Sequence, residues 1–213
     1  MLLGGVNFEV EFGRSQRAAG RGDDFRRGMA GRRFRSALLG ALVCVAMGAT
    51  AARGDSDHDR EYEVKAAFVF NFAKYVDWPA SSFDRADSPF VLGIAGSDPF
   101  GSIIDRAVQG KSVNGHAFVV KRMHWGAEMR ACHIMFVSAS ERERVPQLPG
   151  VLQGAAVLTI GETPGFASHG GVAGFFVEQG RVRFEINPDA ARRAHLVISS
   201  RLLALARIVS DSK

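Results

Sequence analysis

The side chains that most often carry out chemistry are few and scattered in this sequence. The six histidines show no spacing typical of a metal site. Cys132 and His133 are neighbours, and adjacent residues of an extended strand point to opposite faces of the sheet. A thiolate–imidazole pair is therefore disfavoured, and we interpret Cys132 as a buried core residue. Because the sequence also lacks a serine-nucleophile motif and a dinucleotide fingerprint, we predict no catalytic residue, no metal site and no cofactor.

Small polar residues stand directly after three predicted strands. They are Ser97 and Asp98, then Ser138 and Ser140, and finally Glu162. In an open α/β sheet, ligands bind beyond the carboxyl ends of the strands and close to the N-termini of helices. If the three strands are neighbours, these side chains converge on one small-molecule site. The alternative is that Asp98 and Ser140 only cap helices.

Four other side chains are candidates for contact with a partner protein. Phe70 falls within the polar arc of the first predicted helix, where an aromatic ring would anchor an interface unless it packs under a neighbouring loop. Trp125 lies in a loop and would either contact a partner or fill a gap. Arg181 and Arg183 lie on the outward side of a predicted hairpin, which is either a solvated face or an edge that pairs with another chain.

Apolar periodicity predicts the elements that position these residues. Residues 61–77 predict a mostly buried helix that ends before Pro79, since the residue before a proline leaves the helical conformation. Short apolar runs predict buried strands at residues 90–95, 117–121, 132–137 and 155–160. Residues 172–178 and 181–186 predict a hairpin.

Capping residues predict the remaining helices. Asp98-Pro99 predicts a helix start and Gly110 its end, while Ser140 and Glu143 have the spacing of a capping box. Further helices are predicted after Asn187-Pro188 and from Ser199 or Ser200, the last with an apolar face that reaches Val209. Helices alternating with strands predict a single α/β domain, Rossmann-like and three-layered. Its sheet is mostly parallel and ends in an antiparallel C-terminal hairpin.

The charge of the chain is concentrated in its N-terminal quarter. The formal net charge is +5, but residues 54–213 hold 18 basic and 18 acidic residues, so the predicted domain is neutral. We therefore exclude nucleic-acid binding, which requires a basic surface on the folded part. Residues 29–53 have the basic start, the short apolar stretch and the small residues of a secretory signal peptide, with cleavage near Ala51. An uncleaved membrane anchor is the alternative.

Residues 1–28 do not fit the leader that follows them. They are rich in Gly and Arg and show no apolar periodicity, whereas a secretory leader normally starts with a short basic segment. We predict that they lie upstream of the true start at Met29. The leader is then residues 29–53, and an exported domain occupies residues 54–213 with its core at 60–209.

Two segments near the ends of the predicted domain carry a resemblance to a known family. The first runs from Tyr62 to Pro79, and the second combines Gly170-Gly171 with residues 182–187 and 198–203. Together they resemble the YfiR family, and the likeness extends from about residue 62 to residue 209. The resemblance implies a periplasmic location, in agreement with the leader. Disulfides known in the family are not implied here, because Cys132 is the only cysteine after the leader.

The resemblance also implies a function by contact with other proteins. A member of this family is expected to bind the periplasmic sensor domain of a membrane diguanylate cyclase or kinase and to repress it, lowering cyclic-di-GMP signalling and so regulating biofilm formation. An outer-membrane lipoprotein is a further partner that would sequester such a repressor. We also expect self-association into a homodimer. The alternative function is a periplasmic sensor module that binds a small molecule.

Overall fold

The computed structural model describes residues 51–212, so that the predicted start and nearly all of the predicted leader lie outside it. The first element is helix α1 (Ala51–Tyr75). Its buried residues recur every three or four positions and include Ala66, Val69 and Phe72, so one face of α1 packs on the sheet. The predicted end at residue 77 is wrong, because β1 (Val76–Asp77) pairs antiparallel with β9 (Val197–Ile198).

Eight strands form one sheet in the order β10-β8-β7-β6-β5-β2-β4-β3. Four of them, β2, β4, β5 and β6, begin and end within three residues of the predicted strands, and the two strands of the predicted hairpin are also confirmed. The strands are β2 (Phe90–Ala95), β3 (Ser112–Val113), β4 (His116–Met123), β5 (Ile134–Val137), β6 (Leu158–Gly161), β7 (Ala173–Glu178), β8 (Arg181–Ile186) and β10 (Arg207–Ile208).

Strand directions confirm a mostly parallel sheet. Strands β4, β2, β5, β6 and β7 are neighbours and run parallel, while β8 turns back antiparallel to β7 as the predicted hairpin. The two outermost strands were not predicted. Strand β3 pairs antiparallel with β4, and β10 pairs parallel with β8, so the hairpin is not itself the edge of the sheet. Each is only two residues long, too short for an alternating pattern to show in the sequence.

Helices and 3₁₀ segments cover both faces of the sheet. The other α-helices are α2 (Ser102–Val108), α3 (Leu148–Val151), α4 (Pro188–Arg193) and α5 (Ser200–Leu203). The 3₁₀ segments are Ala80–Ser82, Ala127–Ala131, Ala139–Gln147 and Phe166–His169. The predicted final helix is cut short after Leu203, because the chain straightens to add β10 to the sheet edge.

The sheet separates two hydrophobic cores, which confirms the predicted three layers. In β2, Phe90, Leu92 and Ile94 face the first core, under α1, α2, α4 and α5. Val91 and Ala95 face the second core, under α3 and the 3₁₀ segments that hold Met129, Val145 and Phe166. Because both faces of the strand are covered, its sequence is continuously apolar and does not alternate.

Candidate functional site

The loops after β2 and β5 meet at the carboxyl end of the sheet, because these strands are neighbours. The Ser140 hydroxyl accepts a hydrogen bond from the backbone N–H of Ser97 at 2.9 Å. The loop makes room for this hydroxyl at Gly96, which has φ +88° and where a side chain would collide with Ser140. Ser138 is buried, and its hydroxyl accepts from the Ser140 N–H at 3.4 Å. The predicted convergence of these three serines is therefore observed.

Ser138 caps the segment that follows it. The side chain of Ser138 accepts from the Ser140 N–H at the start of the 3₁₀ segment Ala139–Gln147. The predicted capping box of Ser140 and Glu143 is wrong, since the Glu143 carboxylate accepts from exposed Arg142 at 3.4 Å. Ser140 instead points back to the loop after β2, where it holds the two loops together.

Asp98 organises the loop after β2 without starting a helix. Its Oδ1 accepts from the backbone N–H of Phe100 at 2.8 Å and more weakly from that of Gly101 at 3.3 Å. Helix α2 begins at Ser102, so the predicted start at Asp98-Pro99 is wrong by one turn. An aspartate turn of this kind uses the same donors as a helix cap, and the two cannot be told apart from the sequence.

Arg122 at the end of β4 neutralises this loop. Its Nε donates to Asp98 Oδ2 at 2.9 Å, and its Nη1 donates to Asp105 Oδ1 on α2 at 2.9 Å. The guanidinium lowers the pKa of Asp105, mainly by hydrogen bonding, and the two carboxylates raise the pKa of Arg122. Neither carboxylate is left without a cation.

Glu162 turns away from the serines and toward helix α1. Its carboxylate accepts from Lys65 Nζ at 2.7 Å and from the Tyr62 hydroxyl at 2.9 Å. Lys65 is only 4% exposed and also pairs with Glu61 at 2.6 Å. Burial first, and then the charge of Glu162, raise the pKa of Tyr62. The cluster fastens α1 to the carboxyl end of β6.

The five predicted ligand-binding residues thus belong to three internal hydrogen-bond networks. The side chains of Asp98, Ser138, Ser140 and Glu162 and the backbone N–H of Ser97 all bond to the chain itself. The hydroxyl of nearby Thr163 is buried without a partner among the described residues. A ligand at this end of the sheet would have to displace existing hydrogen bonds. Sequence reasoning missed Lys65 and Arg122; the signal for Lys65 was a lysine within the apolar side of a helix, four residues after Glu61.

Phe70 packs along the side of the domain formed by α1 and β4. Its ring is half-buried, with its centroid 5.6 Å from that of Phe118 in β4. Lys111 Nζ lies 4.3 Å and Lys74 Nζ 5.6 Å from the Phe70 ring centre. The ring is therefore a partly covered aromatic surface bordered by two cations.

The other predicted partner residues lie elsewhere. Trp125 is half-buried and packs against the second core. Arg181 and Arg183 are exposed on β8, with Arg183 paired to Glu178 at 3.2 Å. Since β8 and β4 lie toward opposite sides of the sheet, the four residues do not form one surface.

Cys132 and His133 point to opposite sides of the sheet, as predicted. Cys132 lies in the second core, and its burial raises the pKa of the thiol to about 11. His133 stacks on Phe83 and Phe90 on the other side. Its Nδ1 accepts from the Val91 N–H at 3.0 Å, and its Nε2 lies 3.0 Å from the Ser82 carbonyl. Burial lowers the pKa of His133, which favours the neutral ring.

A cavity of about 700 Å³ lies at the opposite, amino end of the parallel strands. Segments that precede β2, β5 and β6 line it, together with the turn between α4 and β9. They contribute Ser82, Arg130, Cys132 and His195 among others. The Ser82 hydroxyl is buried without a hydrogen-bond partner among the described residues. This is a second position at which polar groups surround a space, and no pattern in the sequence indicated it.

Within residues 51–212, no group of three or more His, Cys, Asp or Glu side chains is arranged to hold a metal ion. No helix in the same part of the chain combines the length and the apolar character needed to cross a membrane.

Comparison with known proteins identifies the family. A solved structure of a conserved domain protein from Vibrio cholerae O1 biovar El Tor strain N16961 is 11% identical, with a TM-score of 0.41 over 56% of this chain and 54% of that chain. This chain thus spans about half the length of that protein. No protein with a curated description matches. A family model described as YfiR/HmsC-like matches residues 62–207, nearly the whole predicted domain. The chain belongs to the YfiR/HmsC-like family, whose general role is the periplasmic regulation of cyclic-di-GMP signalling.

Proposed function

We propose that this protein binds the periplasmic sensor domain of a membrane diguanylate cyclase and represses it. Membership of the YfiR/HmsC-like family over residues 62–207 carries the proposal. The filled carboxyl-end loops support it, because a regulator whose usual ligand crevice is occupied by its own hydrogen bonds acts more readily through its surface. Export, with cleavage of the leader near Ala51, is part of the same proposal, since the sensor domain lies in the periplasm.

Of the four predicted partner residues, Phe70 offers the most favourable position. It is a partly exposed aromatic ring, a residue type enriched at interface centres, and the two lysines beside it would lie at the polar rim. Trp125 contributes part of its ring to the second core, so less of it is available. Arg181 and Arg183 would serve a separate contact, for which an outer-membrane lipoprotein or a second copy of this chain are the proposed occupants.

The test is deletion of the gene with measurement of cellular cyclic-di-GMP. Deletion should raise cyclic-di-GMP, and the wild-type gene should restore the original level. A matched pair of variants then tests the surface: Phe70→Ala should restore it poorly, whereas Arg142→Ala, an exposed site in the 3₁₀ segment Ala139–Gln147, should restore it fully. Unchanged cyclic-di-GMP after deletion would exclude repression of a cyclase by this protein.

The amino-end cavity favours a second candidate function, that of a small-molecule sensor. Its volume falls within the range of ligand sites, and its lining includes Ser82, whose buried hydroxyl has no hydrogen-bond partner among the described residues. Thermal-shift measurements with amino acids and nucleotides test this function. A ligand of this cavity should lose its stabilising effect on the Ser82→Ala variant and keep it on Ser97→Ala, which lies at the other end of the strands.

A further inference from the structure

The outer side of strand β4 is open over most of its length. Strand β3 pairs only with His116 and Ala117. The N–H of Phe118 donates to the Lys111 carbonyl at 3.3 Å, the last bond that the described chain makes along this side before the strand runs on to Met123. From Val120 onward, no strand within residues 51–212 lies beside β4 on that side.

The hydrogen-bonding groups on this open side are identified by the parallel ladder. In a parallel pair, alternate residues direct both their N–H and C=O groups to the same neighbour. The Met123 carbonyl accepts from the Gly96 N–H on the β2 side, whereas the Phe118 N–H points the other way to Lys111. Val120 and Arg122 therefore direct their backbone groups outward, where a further strand would lie.

The side chains around this edge carry unbalanced positive charge. Lys74, Lys111 and Lys121 form no ion pair with any described residue, and the first two lie over the Phe70 ring. Arg122 pairs with both Asp98 and Asp105, so this group contributes a net charge of −1, which the three lysines outweigh. Val119 is 38% exposed on the other face of the strand. A strand placed here would meet lysines on both of its faces.

We propose that this edge binds an extended acidic segment of a partner protein by strand addition. Main-chain bonds to Val120 and Arg122 would hold the segment, and its carboxylates would pair with Lys111 and Lys121. Because the lysines at this edge repel the same edge of a second copy, they disfavour pairing between two copies. They favour pairing with a strand that carries negative charge. The inference rests on the proposed function in one respect, since it takes the partner to be the repressed sensor domain.

Binding is tested on the purified protein with a short peptide of alternating glutamate and threonine. The peptide should slow amide hydrogen exchange at Val120 and Arg122 by roughly tenfold or more at saturation. A peptide of alternating lysine and threonine is the control and should leave both amides unchanged. Equal effects of the two peptides, or protection confined to other amides, would overturn the proposal.

Two sets of variants test the backbone hydrogen bonds and the charge pairing separately. Val120→Pro removes the outward N–H without removing a bond to β2, and Val120→Ala is its matched control because it loses the side chain but keeps the N–H. Val120→Pro should abolish protection by the acidic peptide, while Val120→Ala should retain it. The charge reversal Lys111→Glu with Lys121→Glu, at two exposed positions, should also abolish binding of the acidic peptide.

The two proposals fail in different ways. If deletion raises cyclic-di-GMP but the Val120→Pro and lysine-reversed proteins restore it as well as wild type, the partner binds elsewhere and the edge proposal is overturned. If deletion leaves cyclic-di-GMP unchanged, repression of a cyclase fails, and the exchange measurement with the acidic peptide alone decides whether the edge binds acidic strands. Circular dichroism of each variant confirms that the fold is retained.

Discussion

The two layers that cover the sheet are built differently. On the first core, α1 places Phe72 against Phe175 and Phe184, with ring centroids 5.9 and 5.0 Å apart. On the second core, Met129, Met135 and Cys132 pack under short 3₁₀ segments. Aromatic rings interlock in defined orientations, whereas thioethers adapt to the space available. The helical layer therefore fixes the fold, while the side chains of the second layer adapt to it.

The largest loss of stability is expected when Phe72, which is only 1% exposed, is replaced. Phe72→Ala should lower the free energy of unfolding by about 4 kcal/mol, because the ring leaves a cavity among three other phenylalanines. Denaturant unfolding measures it. Val64→Ala, on an exposed side of the same helix, is the control and should change stability by less than about 0.5 kcal/mol. Equal losses in the two variants would mean that α1 does not anchor the first core.

The second layer should tolerate a change of shape better than a loss of volume. Met135→Ala is expected to cost about 3 kcal/mol, because its fully buried side chain is removed. Met135→Leu, which keeps the volume, should cost less than about 1.5 kcal/mol. Thermal unfolding of both variants distinguishes them. A leucine as damaging as the alanine would contradict the idea of an adaptable second layer.

The ion cluster that fastens α1 offers a sharper test of the first layer. Glu162→Ala leaves the buried Lys65 with only Glu61, and we expect a loss of about 2 kcal/mol. This is less than the roughly 3–5 kcal/mol that breaking a buried pair costs, because Glu61 still pairs with the lysine. Adding Lys65→Met should recover most of the loss, since no buried charge then remains. If the double variant is as unstable as Glu162→Ala alone, the uncompensated lysine is not the cause.

The smallest change in stability is expected when the pH is lowered. Burial lowers the pKa of His133 in the folded protein, so the unfolded chain binds a proton at higher pH than the folded one. Stability should therefore be complete above the ordinary histidine pKa of about 6.5 and should decrease as the pH falls below it. Replacement by phenylalanine, His133→Phe, should flatten this dependence in urea unfolding, and exposed His124→Gln should not. If the wild type and both variants show the same dependence of stability on pH, groups other than His133 cause it.

The sequence predicted the elements better than the contacts between them. The strands at β2, β4 and β7 to β8 carry long apolar or alternating runs and were placed closely. Two-residue strands such as β3 and β10 have no such pattern, because they form only where the sheet offers an edge. The same limit explains the shortened last helix.

The candidate site was predicted in part for a similar reason. The convergence of Ser97, Ser138 and Ser140 follows from the position of loops after parallel strands. Lys65 and Glu162 are 97 positions apart in the sequence, and Arg122 and Asp98 are 24 positions apart. A local sequence pattern cannot predict pairs of residues that are so far apart. Pairing of charges across a fold becomes visible only once the strand order is known.

The small β1–β9 pair joins Val76 to Ile198, residues from the two ends of the domain. Contacts between such distant positions raise the contact order, and the chain must close a very long loop before they contribute to stability. A nascent chain that lacks its last strands therefore has no partner for the end of α1 and cannot complete the sheet. Completion of the native fold therefore requires the C-terminal segment that contains β9 and β10, although α1 lies at the other end of the domain.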